Sequence, residues 1–231
     1  MRSAQPFPAF LLPLIVAVFF PCACSAPPVL NPAAPAQADL LTRTCLSRFP
    51  SGSFAVVHAI EASLPLENAS TVVGVSSWEE GTRTLSAALL IPEGIALFEA
   101  SRFGGGNVSV TRALPPLDRP DFADGLFDDL DFMYFPPGEG SDARSGSAVI
   151  PAAGHYPDGR SVCRWELDGH FVDLVPGEDG SFSLSEYRGS GEPFRRYEAG
   201  PVLSAAGFPV TSSFHRAGPA GYSMRFTLVE Q

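Results

Sequence analysis

From Ser53 onward the chain runs in short stretches of β-branched and aromatic residues, alternating with polar ones and broken by Gly, Asp and Pro. The breaks fall at intervals of about ten residues, a spacing that predicts an antiparallel β meander. Strands are expected over 54–64, 71–78, 82–90, 95–101 and 108–113, with turns at "EEG", "PEG" and "GGGN". Three further strands are punctuated by Asp-Gly pairs beginning at Asp158, Asp168 and Asp179, the pair favoured in tight two-residue hairpins. In "SVCRWEL-DG-HFVDLV", Cys163, Trp165 and Leu167 share one face while Val162, Arg164 and Glu166 share the other. That alternation predicts a sheet covered on one side only. A last pair is expected over 209–216 and 222–230, with Met224, Phe226 and Leu228 facing inward.

One segment breaks the two-residue period. In "DRPDFADGLFDDLDFMYFPP", Phe122, Leu126, Leu130 and Met133 recur at helical spacing and Pro136 ends the run. Asp121, Asp124, Asp128 and Asp131 lie largely opposite this stripe, as on a solvated helix face. A helix with a broad apolar face, set in the middle of a meander, must lie on the sheet or cap its opening.

The N-terminus has the order of an export signal: Arg2, an apolar stretch over 7–20, then the small residues Ala23, Cys24, Ser25 and Ala26. Pro8, Pro13 and Pro21 interrupt the stretch, which argues against a membrane-spanning helix of about 20 apolar residues. Cleavage before Cys24 would leave that cysteine to carry a bacterial lipid anchor; the alternative is ordinary cleavage after Ala26 and a soluble secreted protein. Ser25 lacks the Asp that retains many envelope lipoproteins at the inner membrane, which points to the outer membrane. The expected organisation is therefore a signal over 1–24, a Pro/Ala-rich tether over 25–40 and a single β domain over 41–231.

Composition narrows the function classes. The chain is 45% hydrophobic and 17% charged, with 18 Phe, which suits a packed globular domain. Its 25 acidic residues against 15 basic ones give a charge of -10, unfavourable for nucleic acid or an anionic membrane surface as partner. Cys45 and Cys163 remain in the mature chain; in an oxidising compartment they could close one long loop, or stand as two buried thiols that never meet. There is no CxxC, no Cys/His ligand spacing and no H-E-x-x-H, so neither a metal nor another cofactor is expected. Ser76 and Ser77 follow Gly74, but Trp78 replaces the second glycine of a nucleophile elbow. No catalytic set is assembled, and an enzyme is not expected.

The order of elements in "RTLSAALLIPEGIALFEASRFGGGNVSVTRALPPLDRPDFADGLFDDLDFMYFPP", with the later "CRWELDGHFVDLV" and "GYSMRFTLVE", resembles the LolA/LolB-like lipoprotein-carrier fold, in particular LolB-like envelope lipoproteins. The resemblance implies a mostly β (α+β) domain: a strongly curved antiparallel sheet or incomplete barrel, with one or more lid helices over an apolar cavity. It implies as partners an acyl lipid or a lipoprotein ligand and the membrane through the N-terminal anchor. Leu97, Phe122, Leu126, Leu130, Trp165 and Phe226 are the expected cavity residues. Ile91, Pro92 and Glu93 would form the membrane or transfer loop, with Ile91 as its apolar residue and Glu93 at its tip. The rival expectation is a structural or assembly module that contacts other envelope proteins through strand edges and the acidic helix face, and the third is an unrecognised secreted hydrolase.

Overall fold

A computed structural model describes residues 28–63, 70–139, 149–167, 169–189, 191–218 and 221–230. The expected signal and Cys24 lie outside the described residues. Thirteen strands form one open antiparallel sheet: β1 (Asn31–Pro32), β2 (Phe54–Ser63), β3 (Ser70–Glu79), β4 (Thr84–Leu90), β5 (Ala96–Phe103), β6 (Val108–Ala113), β7 (Ala152–His155), β8 (Ser161–Leu167), β9 (His170–Pro176), β10 (Phe182–Tyr187), β11 (Arg195–Ala199), β12 (Thr211–Arg216) and β13 (Tyr222–Glu230). Among the described residues two helices accompany it, α1 (Pro35–Leu46) and α2 (Pro120–Tyr134). The strand order is β1-β7-β8-β9-β10-β11-β12-β13-β2-β3-β4-β5-β6, so β1 and β6 are the edges of the sheet among the described residues.

The strand registers bring the apolar positions into rows. Cys163, Leu174, Leu184, Tyr197, Phe214 and Met224 stand opposite one another across six neighbouring strands. His58, Gly74, Leu89 and Phe98 make a second row across β2 to β5. Because side chains alternate along a strand, these registers place one apolar face inward across the whole sheet.

That face is concave. Arg102 in β5 and Arg195 in β11 lie six strand steps apart, roughly 29 Å if the sheet were flat. Yet Arg102 pairs with the carboxylate of Asp128 while Arg195 donates to the Asp128 backbone carbonyl at 2.9 Å. Two arginine side chains cannot span a flat sheet, so the strands curl around α2.

Pro120 opens α2 at a position where its missing N–H costs nothing, and Asp121 stands in the first turn. The helix lays Ala123, Phe127, Leu130 and Met133 into the core. Around it the aromatic rings meet mostly edge to face: Phe98 with Phe122, Phe132 with Phe214, Trp78 with Phe135.

The expected tether is corrected from Asn31 onward. Asn31 and Pro32 pair with β7, and α1 begins at Pro35, burying Leu41 and Cys45 one turn apart. Gly154 permits this docking, since a Cβ there would stand 2.3 Å from the Asn31 carbonyl oxygen. Cys45 is bonded to Cys163, tying α1 to the inner face of β8 across 118 residues. Three strands also lie outside the expected pattern: β1, β11, and one of β7–β10, since four strands surround the three Asp-Gly turns where three were expected.

The one-sided sheet is corrected at the same end. Asp173 points to the outer face of β9 but is fully buried, beneath Tyr156 and Arg164. Arg164 in turn donates to the Pro28 carbonyl at 2.9 Å, so the N-terminal segment covers this part of the outer face.

Candidate functional site

The inner face under α2 is the most chemically varied part of the interior. Phe98, Phe127 and Phe214 are essentially inaccessible to solvent there, as is Trp165 further along the same core, on β8 beside Phe49 and α1. Four of the expected cavity residues, Leu130, Trp165, Phe226 and Phe122, lie in this core or against it, and Leu126 packs beside them. Leu97 does not: it alternates with fully buried Phe98, so its side chain belongs to the opposite face of β5. The gathered side chains are packed as a core, with their rings in contact.

Trp165 carries an unmet need. Its indole N–H is buried and finds no acceptor among the described residues. A buried donor without a partner costs about 1–3 kcal/mol, and Trp usually satisfies it. Phe49 meets the ring edge to face at 6.3 Å, but a phenyl ring offers no oxygen.

Charged groups fasten α2 to this apolar floor. Asp129 is fully buried and accepts from Arg195 at 3.1 Å, from Arg216 at 3.2 Å and from the Tyr222 hydroxyl. Arg195 also pairs with Glu186, likewise fully buried, and its guanidinium lies 4.4 Å from the centroid of the Phe132 ring. On the other side of the helix Arg102, almost completely buried, pairs with Asp131 and donates to the Phe127 carbonyl at 3.2 Å. The expectation of a fully solvated acidic helix face is corrected here. Asp121, Asp124 and Asp128 are exposed, whereas Asp129 and Asp131 turn to the sheet because arginines reach them.

The surroundings set the ionisation of these groups. Burial pushes the Glu186 carboxyl up, but Arg195 and Arg188 outweigh it and hold the pKa below the ordinary value. Burial, then Asp129, raises the Tyr222 phenol. Burial works against the Arg216 charge, yet Asp129 and Tyr222 more than restore it. His58, buried beside Phe226, is pushed down to about 4 by burial and stays neutral at pH 7. The Ser76 hydroxyl is hydrogen-bonded to Tyr134.

The sequence carried a signal for the fastening residues. Arg102 falls in phase with Phe98 and Ala100, Glu186 with Phe182 and Leu184, and Arg216 with Phe214, each a charge on the apolar phase of its strand. Asp129 sits three residues after Leu126 and four before Met133, on the helix stripe itself. Charges so placed must be paired, because an isolated buried charge is far too costly.

At the turn between β4 and β5, Pro92 and Glu93 are exposed and Ile91 is half-buried. The Ile91 N–H donates to the Ile95 carbonyl at 3.0 Å, and the Gly94 N–H to the Ile91 carbonyl at 2.9 Å. Ile95, 56% exposed, is therefore the apolar residue this turn presents, in place of the expected Ile91. Among the described residues no cluster of His, Cys, Asp and Glu is arranged to hold a metal ion, and no helix is long and apolar enough to cross a membrane.

No family model matches the chain, and no curated protein matches it. Among solved structures it is similar to a LolA superfamily protein, NE2245 from Nitrosomonas europaea, with a TM-score of 0.38 and 11% sequence identity over 84% of this chain and 91% of that one.

Proposed function

We propose that the protein is a non-catalytic lipoprotein of the bacterial outer membrane, facing the periplasm, that binds or passes on an acylated ligand between α2 and the sheet. The observation that carries this reading is Trp165, on β8 beside Phe49 and α1: an N–H with no acceptor among the described residues, inside an aromatic and aliphatic core that continues beneath α2. An acyl ester or carboxylic acid supplies what that place lacks, a carbonyl oxygen for the indole and methylenes for the floor, each worth roughly 0.8 kcal/mol when buried. In the closed arrangement the rings fill the space, so entry requires α2 to lift from its charged contacts. The anchor part of the reading rests on Cys24 and the signal-like order before it.

The test is native mass spectrometry of the mature chain purified from membranes, followed by lipid extraction and titration with cis-parinaric acid. One acyl species per chain, displaced by the probe, is the expected result, with Trp165 fluorescence changing on binding. A ligand-free mass and no saturable uptake of the probe would overturn it.

A second reading, an interaction module of the envelope, is favoured by the free edge at β6. There Phe103 is 69% exposed and Val110 45%. An unpaired strand flanked by exposed apolar side chains is suited to accept an added strand from a partner protein. Recovery of a stoichiometric protein partner without lipid would support this second reading.

A further inference from the structure

The outer face carries a hollow of about 410 Å³ that neither expectation includes. It lies over β9, β10 and β11, between the turn joining β7 to β8 and the N-terminal segment at Pro28 and Val29. Its size lies within the range of small-molecule sites. Ser183, Ser185 and Tyr187 alternate along β10 and present their side chains on one face. No side-chain hydrogen bond engages Ser183 or Ser185 among the described residues.

Two guanidiniums flank these hydroxyls, each paired with one carboxylate. Arg160 donates through Nε to Asp158 at 2.7 Å and lies 5.2 Å from the centroid of the Tyr156 ring. Both of its Nη groups have no partner among the described residues. Arg196 pairs through Nη2 with Glu198 at 2.8 Å, leaving Nε and Nη1 without a partner among the described residues. Two cationic forks and one carboxylate line the hollow, in a chain whose net charge is -10. Arginine forks match phosphate oxygens in geometry as well as charge, and serine hydroxyls add short donors to polyol or phosphate oxygens.

We propose that this hollow binds the phosphate ester of a small polyol, either free in the periplasm or as the head group of a phospholipid. The second source is within reach of an anchored chain. Cys24 stands four positions before Pro28, a span of at most roughly 14 Å of extended chain. A lipid on Cys24 would therefore hold the hollow close to the head-group layer. The site is on the opposite face of the sheet from α2 and does not depend on the acyl reading.

The test is calorimetric titration of the mature full-length chain at low ionic strength with glycerol 3-phosphate and, separately, with monomeric dihexanoyl phosphatidylglycerol. The Arg160→Gln/Arg196→Gln double variant is titrated alongside; both side chains are about half exposed, and near-ultraviolet circular dichroism checks that its fold is kept. Saturable binding that weakens with salt and falls at least about tenfold in the double variant is expected for one probe or both. Binding of glycerol 3-phosphate assigns the free ester; binding of the lipid alone assigns the head group. No saturable binding of either probe, or binding unchanged in the double variant, overturns the proposal.

Discussion

The two ends of the sheet are finished in opposite ways. At the β7–β9 end, α1 is bonded through Cys45 to Cys163 on the inner face, while Arg164, Asp173 and Tyr156 interlock on the outer face and hold Pro28. Both faces are covered and the edge is occupied by β1. At the other end no strand among the described residues pairs with the outer edge of β6, and Phe103, Val110 and Leu114 are exposed beside it. α2 lies between these ends, held on one side by Arg102 of β5 and on the other, in the middle of the sheet, by Arg195, Arg216 and Tyr222 of β11–β13. One buried cation fastens it on the β5 side against two cations and a phenol on the other, so the acyl reading expects opening at the β5 side first.

The sharpest way to break the contrast is to unlock the closed end. Replacing Cys45 and Cys163 by Ser frees a loop of 118 residues in sequence separation, and loss of stability of about 5 kcal/mol is expected from the chain-entropy relation. Denaturant unfolding measures the total. Hydrogen exchange should show amides of β7–β9 losing protection well before those of β3 and β4; equal loss throughout would mean that the two ends do not differ in how they are held.

Next in size is the fastening of α2. Asp129→Asn keeps the shape but leaves Arg216 and Tyr222 without their buried anion, at a cost of about 3 kcal/mol. The same variant should take up cis-parinaric acid faster than the wild type, because α2 opens more easily. Destabilisation without faster uptake would separate the charged contacts from ligand entry.

Much of this architecture is legible in the alternation of residues. The meander from β2 to β6, the hairpin of β8 with β9 and the helix ending before Pro136 all follow from local period and turn chemistry. α1 was hidden because "PAQADLLTRTCL" has only Leu41 and Cys45 buried, a stripe too narrow to stand out from a Pro/Ala-rich run. Its place is decided by a bond to a residue more than a hundred positions away, which no local pattern contains. Leu97 was misassigned to the interior for a simpler reason: its neighbour Phe98 takes the inward phase. The arginines around α2 are visible as charges on the apolar phase of their strands, but which carboxylate each meets depends on the curl of the sheet.

His58 in β2 probes the stretch between the ends. Burial holds its imidazole at a pKa of about 4 against 6.5 for the ordinary side chain. As the pH falls below about 6.5 the unfolded chain takes up this proton first, so stability drops through the window down to about pH 4 and this group adds no further loss below it. The full effect is on the order of 3 kcal/mol. Glu186, with its pKa held down, contributes stability above 4.5 that is lost only as the pH falls further. Unfolding midpoints measured from pH 7 to pH 4 should therefore decline in the wild type and run nearly flat in His58→Leu. A decline of equal size in both proteins would assign the loss to other groups.

The smallest effect is expected at the open end, and its smallness is the point. Phe103 is 69% exposed at the end of β5 and Val110 is 45% exposed on β6, so their side chains bury little within one chain. Phe103→Ser and Val110→Ser should each change stability by less than about 0.5 kcal/mol, as is usual for surface positions without special partners. If the β6 edge is free in solution, thermal midpoints of wild type and variants coincide at every protein concentration. If the edge is instead buried against a second copy, the wild-type midpoint rises with concentration and the variants lose that rise, because association stabilises the folded chain by mass action. That outcome would close the open end by pairing rather than by α2, and the contrast between the two ends would become one between a covalent lock and a borrowed strand.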